Sequence, residues 1–226
     1  MHTATAQRRP SDLARRLVIT PPCCRCGARL VIVDQDEFWT LMESAVTAAE
    51  GNRDGEEEDD FGEAIAQELV SRLARLDTAS VLSFDDYLGR ATSVLHRWDV
   101  WAAAYLINGG CGDDSFIDFK AGVVTLGREW HQRVVANPDS LADHPAVQEV
   151  ATGRDTDFLF PEPVNYAAGE AFEQITGDHD AYNDAASQEG YESESSDMGE
   201  NFDFDDPEQM RRRLPRLAEM FLTLKR

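Results

Sequence analysis

Along most of the chain the apolar positions recur at spacings of three and four residues, which marks helices with one buried face. The first such stretch, residues 34–51, places Phe38, Leu41, Met42, Ala45, Val46 and Ala49 on one stripe before Gly51 stops it. A charged stretch, 54–60, separates it from a second helix with Phe61, Ile65, Leu69, Leu73 and Leu76 in register, ending near Asp77. The pattern then predicts one long helix, the longest in the protein, from a cap at Ser83 through Trp98 and Trp101 to Ile107.

Asn108-Gly109-Gly110 ends that helix, because glycine and asparagine tolerate the left-handed backbone that closes one. Asp113 or Asp114 is placed to cap a fourth helix, with Phe116, Phe119, Val123, Leu126 and Trp130 inward, up to the turn Asn137-Pro138-Asp139. A short helix over 142–150 and another over 163–175, stopped by Gly177, follow. Residues 157–160 are the one place read as extended. A last amphipathic helix runs from Pro207 to Leu224 with Met210, Leu214, Leu217 and Phe221 on its stripe, kinked at Pro215. The expected fold is all-α: a compact multi-helix domain, a disordered acidic tract and a C-terminal amphipathic helix.

Composition divides the chain into four parts. Residues 1–33 carry six arginines against one acid and three of the four cysteines, Cys23, Cys24 and Cys26. This part reads as a basic arm, a transit-type leader, or translated upstream sequence outside the natural protein. The last is favoured, because Val33 stands where a valine-type start codon would encode the initiator. Residues 34–177 form the helical domain. Residues 178–206 hold eleven acids and no Lys or Arg, so they are expected to be a disordered linker. Residues 207–226 carry the terminal helix, whose Arg211, Arg212 and Arg213 are suited to pair with the acidic tract or to dock on the acidic body.

The formal charge of −22, from 43 acids and 21 bases, narrows the function classes. Such a field repels nucleic-acid phosphates and anionic membranes, and no apolar run approaches the ~18 residues of a membrane helix. A cytoplasmic location with a basic protein as partner is expected. One CCxC cluster without a second knuckle, and histidines scattered singly, point away from structural zinc.

Candidate chemistry gathers in the segment WDVWAAAYLINGGCGDDSF. Trp98, Trp101 and Tyr105 share a helical face, a stripe that reads first as core. Asp99 is a candidate partner for Arg128. Asn108, Cys111, Asp113 and Asp114 meet at the glycine turn, where carboxylates and open backbone suit a divalent cation, although capping explains all but Cys111 and Asp114. On one long helix His96 would lie ~20 Å from Cys111, too far to act as its base. Asp178, Asp180, Asp184 and Glu189 mimic a calcium loop, but Asn183 stands where glycine belongs.

The runs FWTLMESA, RWDVWAAAYLINGGCGDDSFIDFKAGVVTLGRE and NPDSLADHP resemble the domain-of-unknown-function 4240 family of bacterial proteins, over residues 34–177. The ending RRRLPRLAEMF is similar to the tail of longer members. The resemblance implies a mostly helical domain and no particular activity. It also implies a start at Met-Asp-x-x-x-Phe-Trp, which aligns Val33 with the initiator. The expected role is therefore a non-enzymatic interaction module, an acidic partner of a basic protein as immunity or antitoxin proteins are. The alternative is a metal-assisted hydrolase or small-ligand binder built on the turn at residues 108–114.

Overall fold

The computed structural model describes residues 33–51, 61–153, 155–189 and 197–222, and among them there is helix but no strand. The basic arm with its cysteine cluster, residues 52–60 and Leu224 lie outside the described residues.

Helix α1 (Gln35–Gly51) and helix α2 (Phe61–Leu73) fall where the periodicity places them, and at 17 residues α1 is the longest described helix. Phe38, Met42, Ile65, Leu69 and Leu73 are fully buried between them and their neighbours. The expected long third helix is corrected into two, α3 (Thr78–Ser93) and α4 (Trp98–Asn108). Asp77, expected to end α2, instead starts α3 by accepting from Ser80 N at 2.8 Å. The break after Ser93 has no Gly or Pro. Leu95 N and His96 N turn back to Thr92 O and Ser93 O, which carries Leu95 into full burial, and Arg97 swings to φ −141°, ψ 149°. The extended Arg97 then clamps Asp99 with two bonds of 2.9 and 2.7 Å and reaches Val135 O at 2.7 Å.

Helix α4 is buried along most of its length: Val100, Ala102, Ala103, Ala104, Leu106 and Ile107 are all inside. Its alanines let neighbouring backbones come close, and Gly109 closes it at φ 73°, as the sequence indicates.

The fourth helix is likewise corrected into α5 (Asp113–Thr125) and α6 (Arg128–Ala136), separated by Gly127 at φ 89°. Phe116, Phe119 and Val123 do face inward, while Trp130 belongs to α6. Gly122 is where α5 lies directly on the backbone of the 3-10 turn Asp157–Leu159. Of residues 157–160, expected to be extended, 157–159 form that turn and Phe160 follows it. The short helix over 142–150 becomes the 3-10 turn Pro138–Asp143 and helix α7 (Pro145–Val150), each opened by its proline. The next stretch is the 3-10 turn Glu162–Tyr166 followed by helix α8 (Ala167–Thr176), closed at Gly177.

Of the acidic tract expected to be a disordered linker, residues 178–189 and 197–206 are described, and both parts pack against the helical domain. Helix α9 (Ala181–Glu189) docks through Tyr182, which donates to Asp85 at 2.8 Å and meets the Phe172 ring at 5.9 Å. Burial pushes the Asp85 carboxyl above its ordinary value, with Tyr182 opposing. Residues 197–206 form a strap held by Met198, Phe202 and Phe204, and residues 190–196 lie outside the described set. Because residues 181–189 are helical, they do not form the loop that a calcium site would need.

The terminal helix breaks at Pro215 as expected, into α10 (Pro207–Arg213) and α11 (Pro215–Leu222). Asp206 caps α10 by accepting from Glu208 N and Gln209 N. The N-terminus of α11 is capped from elsewhere: buried Asp139 accepts from Arg216 N at 3.1 Å and Leu217 N at 3.0 Å. Of the basic cluster, Arg213 pairs with Glu200 of the acidic tract at 2.9 Å.

Candidate functional site

The face of α4 carries a ladder of rings. Trp98 stacks on Trp101 at 5.4 Å and 3°, and Trp101 stacks on Phe116 at 4.8 Å and 7°. The His96 ring borders Phe116 at 5.8 Å. Trp98, Trp101 and Tyr105 are half-buried, because the strap covers them. Phe204 meets the three rings at 6.1, 6.3 and 5.5 Å, and Tyr105 donates to Asp205 at 2.5 Å. The bond to Asp205 pushes the Tyr105 phenol above its ordinary value, with burial acting in the same direction. Trp98 N, an orphan donor at the start of α4, finds Met198 O at 3.0 Å.

At the turn into α5 the candidate residues do not converge. Asn108 accepts from Thr156 at 2.7 Å and donates to Gly110 O at 3.1 Å, so its amide ties the turn to a neighbouring loop. Gly112, not Asp113, is the N-cap of α5, and no side chain bonds there. Asp113 and Asp114 are exposed in the first turn, where the positive helix end favours them. Among the described residues no group of three or more His, Cys, Asp or Glu is placed to hold a metal ion. Asp99 pairs with Arg97 rather than with Arg128, whose guanidinium is held by Asp36 at 2.6 Å. That corrects the expected pair: the break at Arg97 turns its guanidinium onto Asp99.

Cys111 is a free, half-buried thiol whose carbonyl accepts the Trp101 indole N–H at 2.9 Å. Burial pushes the thiol up to about 11, Asp118 adds to the rise, and Trp101 opposes both, so it is a poor nucleophile near neutrality. The helix geometry that set His96 ~20 Å away is gone with the break at residues 94–97. The His96 Nδ1 instead lies 3.5 Å from Lys120 Nζ. Burial lowers the proton affinity of both groups, and Lys120 lowers that of His96 further.

A second site gave no signal in the sequence. A shallow groove of about 280 Å³ opens between α1 and the α5–α6 junction. Half-buried Val46, Leu126 and Trp130 line it together with exposed Glu43, Thr47 and Glu129. Glu43 reaches across from α1 to accept Arg128 N at 3.0 Å, capping α6. Gly127 is required beside it, since a Cβ there would meet Glu43 Oε1 at 3.2 Å on a left-handed backbone. Arg133 already lies 3.9 Å over the Trp130 ring, and His144 meets that ring edge-on at 4.6 Å. Of these residues the sequence pattern marks Val46, Leu126 and Trp130, as core positions; it does not join them, because α1 lies some eighty residues before the α5–α6 junction.

A family model described as "Protein of unknown function (DUF4240)" matches residues 33–174, more than half of the chain. The α4 ladder and the groove lie within the match, whereas the strap, α10 and α11 lie beyond it. No curated protein and no solved structure matches. The chain belongs to the DUF4240 family.

Proposed function

We propose that this DUF4240 member is a helical interaction module that binds a basic protein through its carboxylate-rich surface. One observation carries the reading: among the described residues, seven of the eleven lysine and arginine side chains are paired within the fold. Arg72, Arg90, Arg97, Arg128, Arg133, Arg213 and Arg216 each pair with a carboxylate of the same chain. Asp143 alone takes two of them, Arg133 and Arg216. With 43 acids in the chain, the outward field is that of the carboxylates in excess. A field of that sign raises the encounter rate with a cationic surface and makes it depend on salt. The raised Cys111 thiol and the dispersed acids at the turn after α4 favour binding over chemistry there.

Affinity capture by the full chain from cells of its source, at low and at high ionic strength, tests the reading. The expected result is a basic protein retained at low salt and released at high salt. Recovery of no salt-sensitive partner counts against it.

A further inference from the structure

The groove between α1 and the α5–α6 junction combines apolar, acidic and aromatic side chains in one place. Val46 and Leu126 line it with apolar side chains, Glu43 and Glu129 with carboxylates and Trp130 with an aromatic ring. Glu43 uses Oε1 to cap α6, and among the described residues neither Glu43 Oε2 nor the Glu129 carboxylate takes part in an ion pair or hydrogen bond. Arg128, the cation at the rim, is held by Asp36. Trp130 is already overlain by one guanidinium, that of Arg133 at 3.9 Å, so its ring is a surface that accepts such a group within this fold.

We infer that this groove seats a basic side chain, arginine or lysine, projecting from the partner protein proposed above, a reading on which the inference rests. The long methylene stem lies along Val46 and Leu126, and the charged head meets Glu43, Glu129 and the Trp130 ring. A volume of about 280 Å³ takes one extended side chain, not a folded element. Apolar contact for the stem and charge for the head give the groove a preference that a uniformly acidic surface does not have.

The test uses the full chain and an acetylated, amidated tetra-arginine peptide as probe. Binding is followed by the NMR signal of the Trp130 indole N–H, assigned by comparison with Trp130→Phe. The double substitution Glu43→Gln with Glu129→Gln removes both charges. The amide that replaces the Glu43 carboxylate keeps an oxygen to accept Arg128 N, and an unchanged melting temperature checks the fold. As a control, Glu170→Gln with Glu208→Gln removes two exposed charges on α8 and α10. The expected result is a shift of the Trp130 signal on titration, with affinity weakened about tenfold in the first pair and less than about threefold in the second. Equal weakening by both pairs, or peptide binding that leaves the Trp130 signal unmoved, overturns the groove while leaving the basic-partner reading intact. A groove that behaves as expected, beside capture of no basic protein, overturns the partner reading instead.

Discussion

Glycine to alanine inside a helix ordinarily stabilises a protein by about 0.5–1 kcal/mol, because the flexible residue loses more freedom on folding. At Gly122 the sign is expected to reverse. An alanine Cβ there would sit 2.1 Å from Leu159 O, 2.5 Å from its carbonyl carbon and 2.8 Å from its Cα. All three are backbone atoms of the Asp157–Leu159 turn, so no side chain can swing aside. Ordinary C···O contact begins near ~3.3 Å, so α5 and the turn must part by roughly 1 Å. Parting them loosens Leu159 and Phe119, both fully buried, and the Phe119–Phe160 ring contact at 5.5 Å. Overpacking of this kind costs about 1–3 kcal/mol in a yielding core and more against rigid backbone; after the helix-propensity gain the net loss should be about 3 kcal/mol. Gly89 in α3 supplies the control, since a Cβ there meets nothing within 4 Å and Gly89→Ala should gain about 0.5–1 kcal/mol. Urea unfolding of both variants, with unchanged m-values, reads the difference. A Gly122→Ala variant as stable as Gly89→Ala would refute the close approach of α5 to the turn.

Other outcomes are equally specific. Asp139→Ala strips the cap from α11 and strands the N–H groups of Arg216 and Leu217, so unfolding free energy should fall by about 2 kcal/mol, with Asp139→Asn milder because its oxygen still accepts. His131 is buried with Nε2 2.9 Å from Ala91 O, and burial pushes its proton affinity below the ordinary 6.5. The unfolded chain therefore takes up that proton first, and stability should decline as pH falls below about 6.5, with a shallower slope in His131→Gln. The raised Cys111 thiol should alkylate at mildly alkaline pH about a hundredfold more slowly in the folded chain than in urea, read from the mass of its own peptide; equal rates would contradict its buried setting.

How far the sequence can be read depends on what kind of signal each feature leaves. Helices α1 and α2 are legible because their stripes are continuous, and Gly109, Gly177 and Pro215 mark ends that any chain must respect. The break between α3 and α4 is not, because nothing at residues 94–97 forbids a helix. The burial of Leu95 and the Arg97–Asp99 clamp, both tertiary, decide it. Gly127 passes for an ordinary helix position because its left-handed backbone is set by Glu43 arriving from α1. Acidic composition hides the strap, since Phe202 and Phe204 are too few to form a periodic pattern, yet Phe204 suffices to cover Trp98, Trp101 and Tyr105. Of the candidate residues, the aromatic stripe stays together, while Asn108, Cys111, Asp113 and Asp114 share a turn without sharing a site. The groove at Glu43, Glu129 and Trp130 leaves no trace in one dimension because it joins the polar face of one helix to the first turn of another.

The central claim is that carboxylates in excess draw in a basic protein. The association rate of the purified full chain with its captured partner, measured by stopped flow across a range of ionic strength, tests it most directly. The rate should fall by more than about tenfold from low to high salt as the carboxylate field is screened. A rate constant that does not change with salt would contradict the claim.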